Sequence, residues 1–186
     1  MDLSNIMNRS RLKGCLYSLV RPRNIQCAGR PIINGYFPDF LGEGHVRLGK
    51  NCCFRSFRLR QQFTVLKDAV LEVGDNALFN DGVVLCAVKS IKIGHSVKVA
   101  DMVYIYDTHF HQVCPDEPLT EASVSIGNNV WIGANSMVLA GASIGDHSVI
   151  AAGSIVTGAI PARSLAAGLP ARVIKTFEVP GDWIRR

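Results

Sequence analysis

The sequence predicts an all-β fold, a parallel β-helix of hexapeptide repeats. Three observations predict it. An aliphatic residue recurs every six positions, at Ile126, Ile132, Val138, Ile144, Ile150 and Val156. The next residue is small or polar at Gly127, Gly133, Gly145, Ala151 and Thr157, with Leu139 the exception. The fifth position of each six is small or apolar: Val130, Ser136, Ala142, Ser148, Ser154 and Ile160. A period of six fits neither a helix of about 3.6 residues per turn nor a simple strand and hairpin, whereas short repeats of this kind specify a solenoid.

The repeat has a direct physical meaning. Each six supplies one short strand and one corner. The aliphatic residue points to the coil axis, and the small residues let the backbone turn without steric cost. Three sixes close one triangular coil. A single coil cannot bury its own apolar face, so coils stack and like residues pack on like.

The elements follow in order. Residues 1–45 are expected to form an N-terminal cap, partly helical or irregular. Leu12, Leu16, Tyr17 and Val20 make one apolar side of a short helix that Pro22 ends. Strands begin at Val46, and the β-helix domain runs over 46–175. Its first coils are irregular, with Arg55, Arg58 and Arg60 forming a basic face. The register is clear at Val73, Phe79 and Leu85, slips by two residues, and resumes at Ile93, Val99 and Ile105. It then breaks until Ile126. The break is no multiple of six, so a loop near 107–124 leaves the coil. Strands end at Pro161, and 176–186 is read as a C-terminal tail.

Composition narrows the function. The 186 residues are 48% hydrophobic, enough for one domain with a continuous core. The net charge of +5 is matched by Arg9, Arg11, Lys13, Arg21, Arg23 and Arg30 against Asp2 in the first thirty residues. Such an end is a solvated surface or a peripheral contact to anionic lipid. No aromatic residues interleave with these charges, which argues against nucleic acid. The six cysteines form no CxxC pair and read as reduced thiols of a cytoplasmic protein, one that can sit at the inner face of the membrane. The run Cys15 to Val20 is too short for a membrane span.

Chemistry is expected in the loop, because a polar loop on a rigid scaffold is a common seat of function. It carries His109 and His111. A histidine titrates near neutrality and can accept a proton from a weak nucleophile. His95 and His147 fall at corners and read as exposed turn residues. His45 reads as structural or exposed.

Three segments carry a family resemblance: Ser125-Ile-Gly-Asn-Asn-Val-Trp-Ile-Gly-Ala-Asn, Ser154-Ile-Val-Thr through Ala167-Gly-Leu-Pro-Ala-Arg-Val-Ile, and Ile105-Tyr-Asp-Thr-His-Phe-His. Over roughly Val73 to Lys175 the chain resembles the hexapeptide-repeat acetyltransferases, and most the galactoside, maltose and polysaccharide O-acetyltransferases. The resemblance implies a left-handed coil and a homotrimer with active sites between subunits. It implies acetyl-CoA as co-substrate, a saccharide acceptor that can be lipid-linked, and direct histidine-assisted attack on the thioester. No metal or covalent intermediate is required by that chemistry.

The resemblance also assigns residues. Some relatives place the base directly after Thr or Gly, which points to His109. Others carry Asp-Ser/Thr-Asp-Phe-His, and counting from Gly94 then points to His111, the preferred candidate. Asp107 is a candidate for orienting the base. Asn80 and Asp81 match the acceptor region, and Trp131 matches a tryptophan at the active-site groove. Gly133, Ala134, Ala152, Gly153 and Thr157 match the pantetheine path, and Arg172 and Lys175 the nucleotide end. The expected function is O-acetylation of a sugar hydroxyl in bacterial surface polysaccharide or exopolysaccharide biosynthesis. The alternatives are N-acetylation of an amino sugar, acetylation of a small soluble sugar or xenobiotic, and a non-catalytic scaffold. A metal enzyme using His109, His111 and Cys114, in the manner of γ-class carbonic anhydrases, is the remaining rival.

Overall fold

An inward residue every sixth position forces three short strands per circuit of the chain. The computed structural model describes residues 10–17 and 22–185, and there the strands fall into three sheets of seven, eight and six. All pairings are parallel except the last. The coil is left-handed.

Each face carries one inward row. The first holds Cys27, Leu48, Val73, Ile93, Ile126, Ile144 and Ile160 in register. The second holds Ile33, Phe54, Phe79, Val99, Ile132, Ile150 and Ala166. The third holds Phe40, Phe63, Leu85, Ile105, Val138 and Val156. These rows form one continuous core. The fifth-position serines lie inside it and stitch coils together. Ser136 Oγ donates to Ala151 O at 3.0 Å, and Ser148 Oγ to Pro161 O at 2.7 Å.

Corners repeat as strictly as strands. Between the first and second faces, the third residue after each inward one takes a positive φ: Asn51, Asn76, Ser96, Asn129, His147 and Arg163. Asparagine tolerates this left-handed region better than most residues. Along the same corner, side chains accept N–H groups from the preceding coil. Lys50 N donates to Asp75, Asp75 N to His95 Nδ1, His95 N to Asn128 and Asn128 N to Asp146, all between 2.7 and 2.9 Å. His95 is exposed, as expected, and also serves as a rung of this ladder.

The start of the coil lies earlier than Val46. Ile25–Cys27 already pairs in parallel with the strand His45–Leu48, so the first coil occupies much of the stretch read as a cap. Residues 10–17 are helical and close the open end. The Tyr17 ring lies on Phe37 and Phe40, with centroids 6.2 and 6.1 Å apart, and Lys13 Nζ donates to Gly35 O at 2.6 Å. Leu12 and Leu16 are exposed, so only Tyr17 of the expected apolar side is seen to pack on the core. Val20, Arg9 and Arg21 lie outside the described residues.

The first coils are filled by inward aromatic residues. Phe40 stacks on Phe63 at 4.9 Å and Phe54 on Phe79 at 5.5 Å, while Phe63 meets Phe79 edge-on at 5.3 Å. No helix among the described residues is long and apolar enough to cross a membrane. The six cysteines are free thiols. Burial pushes Cys52 up to about 12, which leaves it unreactive.

Candidate active site

The chain leaves the third face after Tyr104–Tyr106 and returns to the first at Val124. The root of this loop is a short antiparallel ribbon. Thr108 sits opposite Glu121, His109 N donates to Thr120 O at 3.0 Å, and Ala122 N donates to Asp107 O at 2.9 Å. Phe110 turns the chain with φ 62, its N–H on Thr108 Oγ1 at 3.0 Å and its ring edge-on to Tyr106 at 5.3 Å. The turn leaves His109 and His111 both exposed. Neither imidazole is engaged in a side-chain hydrogen bond among the described residues.

Asp107 is placed differently from the orienting role read for it. It is completely buried. Its carboxylate accepts the N–H groups of Val88, Lys89 and Ser90 at 2.7, 2.9 and 2.7 Å. Those residues are the two-residue slip between Leu85 and Ile93. Asp107 therefore anchors that wide corner and the first residue of the loop, rather than a histidine.

Six of the other candidates gather on the corner between the second and third faces. Four turns stack there: 80–82, 100–102, 133–135 and 151–153. Met102 N donates to Asp81 O, Asn135 N to Asp101 O, and Gly153 N to Ala134 O, at 2.8 to 3.0 Å. Asn80 and Asp81 thus share one edge with Gly133, Ala134, Ala152 and Gly153. With coils about 4.8 Å apart, this edge runs about 15 Å along the axis. Gly133 must be glycine for the coils to meet, since a Cβ would lie 2.5 Å from Ala152 N. Nothing fills the space beside Gly153.

Asp81 holds the neighbouring insertion. It accepts from Arg58 N at 2.9 Å and Leu59 N at 3.2 Å, and pairs with the Arg58 guanidinium at 3.7 Å. Burial alone would raise its pKa, but these N–H groups, that of Phe57 and the Arg58 charge outweigh it and hold the carboxyl below its ordinary range. A folded pKa below the unfolded value of about 3.9 gives stability above about pH 4 that is lost as pH falls through the folded value. Asp81→Asn is expected to lower the urea midpoint at pH 7 and to flatten its fall below about pH 4. Equal acid sensitivity in the two proteins would contradict this.

Beside Asp81, the Asn80 Oδ1 atom is buried without a partner, as is Gln61 Oε1. Gln61 Nε2 donates to Arg55 O, Phe79 O and Asn80 O at 2.8, 3.2 and 3.1 Å. Gln61 was not read from the sequence. Its signal was available: it stands two residues before the inward Phe63, where the later coils carry valine, serine or alanine.

Toward the C-terminus, Thr157 and Arg172 line one hollow of about 530 Å³ with Pro161 and Ala171. Arg172 and Lys175 lie on the strand Ala171–Thr176, which folds back antiparallel on Ser164–Gly168. Trp131 is 44% exposed on the outer side of the second face, in register with Lys98 and Val149. His147 departs from its reading as an exposed turn residue. It is buried, with Nδ1 2.9 Å from Asn129 Nδ2, because the tail crosses it. Asn129 Nδ2 donates to Trp183 O and Asn129 Oδ1 accepts from Arg185 N, each at 2.8 Å. Among the described residues, no three His, Cys, Asp or Glu side chains group as a metal-ligand set.

A model of the bacterial transferase hexapeptide (six repeats) matches residues 123–158. The chain is 33% identical over 155 residues to an Escherichia coli (strain K12) protein named as a lipopolysaccharide biosynthesis O-acetyl transferase, covering 76% of this chain and 77% of that one. It is 36% identical over 139 residues to the galactoside O-acetyltransferase of the same organism, covering 74% of this chain and 58% of that one. A solved hexapeptide-repeat acetyltransferase from Vibrio cholerae O1 biovar eltor, complexed with acetyl coenzyme A, matches with a TM-score of 0.63 at 22% identity. That match covers 94% of this chain and 87% of the other. Fold, repeat and relatives define a hexapeptide-repeat acyltransferase. The chain belongs to that family and is an acetyltransferase.

Proposed function

We propose that the protein transfers the acetyl group of acetyl-CoA to a sugar hydroxyl during synthesis of a bacterial surface polysaccharide or exopolysaccharide. The observation that carries this reading is the pair of exposed histidines, His109 and His111, free on a loop whose root is fixed by hydrogen bonds to the coil. His111 takes the hydroxyl proton as the sugar oxygen attacks the thioester carbonyl. The C–S bond breaks, and the proton passes to the departing thiolate. General-base assistance of this kind contributes about 10²–10⁴ in rate.

The edge formed by Gly133, Ala134, Ala152 and Gly153 is small and open enough for the pantetheine arm, which continues past Thr157, and Arg172 and Lys175 receive the nucleotide end. Asn80 and Asp81, two coils back on the same edge, mark the acceptor end with Trp131. Cofactor and acceptor positions on one edge, with the base on a loop at another corner, support a site completed by a neighbouring copy in a homotrimer. Membership of the family and the named substrates of the relatives support the sugar acceptor. Calorimetric titration of acetyl-CoA into the purified protein should show saturable binding at about one site per chain. A folded protein that binds no acetyl-CoA would overturn the reading.

A further inference from the structure

The outer side of the second face carries a group of cations without counter-charge. Outward positions Cys53, Leu78, Lys98 and Trp131 stand in register on successive coils. Arg55 is two residues beyond Cys53 in the same strand, so it points the same way. Because Phe54 pairs with Phe79, Arg55 stands beside Asn80 on the next coil. Gln61 Nε2 donates to the carbonyls of both.

The tail adds a third cation from the opposite side. Arg185 N is held by Asn129 Oδ1 at 2.8 Å, and Arg185 Nη2 donates to His147 O at 3.0 Å. The guanidinium lies 4.8 Å from the centroid of the Trp183 ring. Its Nε is buried and has no acceptor. Lys98 stands on a coil between that of Arg55 and that of His147, which holds Arg185, and is half-buried. Burial first, then the charges of Arg185 and Arg55, makes its ammonium easier to deprotonate.

Four arginines of the coil are treated differently. Arg47, Arg58, Arg60 and Arg163 each meet a carboxylate. Among the described residues none meets Arg55, Lys98 or Arg185. Like charges gathered beside a protein surface repel. An anion placed among them reverses the sign, and arginine forks match the oxygens of carboxylate and phosphate.

We propose that this face binds an anionic group carried by the acceptor, a carboxylate or phosphate on the sugar, through Arg55, Lys98 and Arg185. Trp131, one coil above Lys98, offers an apolar surface for the sugar ring. Asn80 adjoins Arg55 on the next coil and marks the lower edge of this face. The distance from the Asn80 coil to the Trp131 coil is about 10 Å, the span of one charged sugar unit. The inference rests on the acetyltransferase reading and gives it a substrate class: an acidic sugar, or one still attached to phosphate.

The test is calorimetric titration of inorganic phosphate into the full chain at low salt, with and without saturating coenzyme A. Saturable phosphate binding is expected, weakened about tenfold or more in Lys98→Met and in Arg55→Gln, and retained when coenzyme A is present. No phosphate binding, or unchanged binding in both variants, would overturn the proposal. So would displacement of phosphate by coenzyme A, because the cations would then serve the cofactor's own phosphates. Acetyl-CoA binding by Lys98→Met at the affinity of the unmodified protein keeps the two readings separate. Failure of acetyl-CoA binding in the unmodified protein sinks the transferase reading, whereas failure of phosphate binding alone sinks only the acidic acceptor.

Discussion

His111→Ala lowers acetyl transfer by about 10²–10⁴ and leaves acetyl-CoA affinity unchanged. The expectation follows from where the loop puts the side chain. His111 is exposed, and the main-chain hydrogen bonds that hold the loop root join His109 to Thr120 and Ala122 to Asp107. Truncating it removes a base without loosening the ribbon. His109→Ala is the matched control, since its backbone N–H on Thr120 O survives the change. It is expected to cost less than about tenfold, the scale of a lost positioning contact. Release of free thiol from acetyl-CoA in the presence of acceptor measures both. If His109→Ala is dead and His111→Ala active, the base is His109. If both are fully active, the loop is not the seat of the chemistry.

Ile132→Asp abolishes the folded protein. Ile132 is completely buried in the middle of the second-face row, between Val99 and Ile150. The substitution removes about 2 kcal/mol of burial and places an unpaired carboxylate there, at a penalty of several kcal/mol. Together these approach the whole stability of an ordinary domain, about 5–15 kcal/mol. The stacked coils give the damage no local refuge, because each inward row is shared by the coils on either side. Circular dichroism and gel filtration decide it. A soluble Ile132→Asp protein with the β signature and size of the parent would contradict the inward register.

The sequence was most readable where the hexad is pure. From Ile126 to Val156 every inward residue and buried fifth position stands as the period requires, and Leu139 alone breaks the row of small followers. Earlier coils were obscured by insertions at corners: Phe57 to Arg60 beside Asp81, and Leu66 to Ala69 after Val65. There phenylalanines replace aliphatics inside, so neither spacing nor residue type kept the pattern, and Ile25–Cys27 passed for part of a cap. The loop with His109 and His111 was visible as a break in the period. Which group each polar residue serves was not visible. Asp107 stands next to the histidine segment in the chain, yet its carboxylate binds the backbone of Val88 to Ser90 on the preceding coil. Likewise, burial of His147 depends on Trp183 and Arg185 returning across the coil, a contact between distant segments that leaves no local trace.

The reversed final strand has a consequence for how copies of the molecule meet. A stack of parallel coils is a template for its own continuation, since the last coil presents the same unpaired edge that every earlier coil offered its successor. Ala171–Thr176 runs against that direction and occupies the second-face edge, while helical residues 10–17 obstruct the opposite mouth through Tyr17. A further copy arriving end-on meets a strand of the wrong polarity at one end and a helix at the other. Fibre growth along the axis is thereby discouraged.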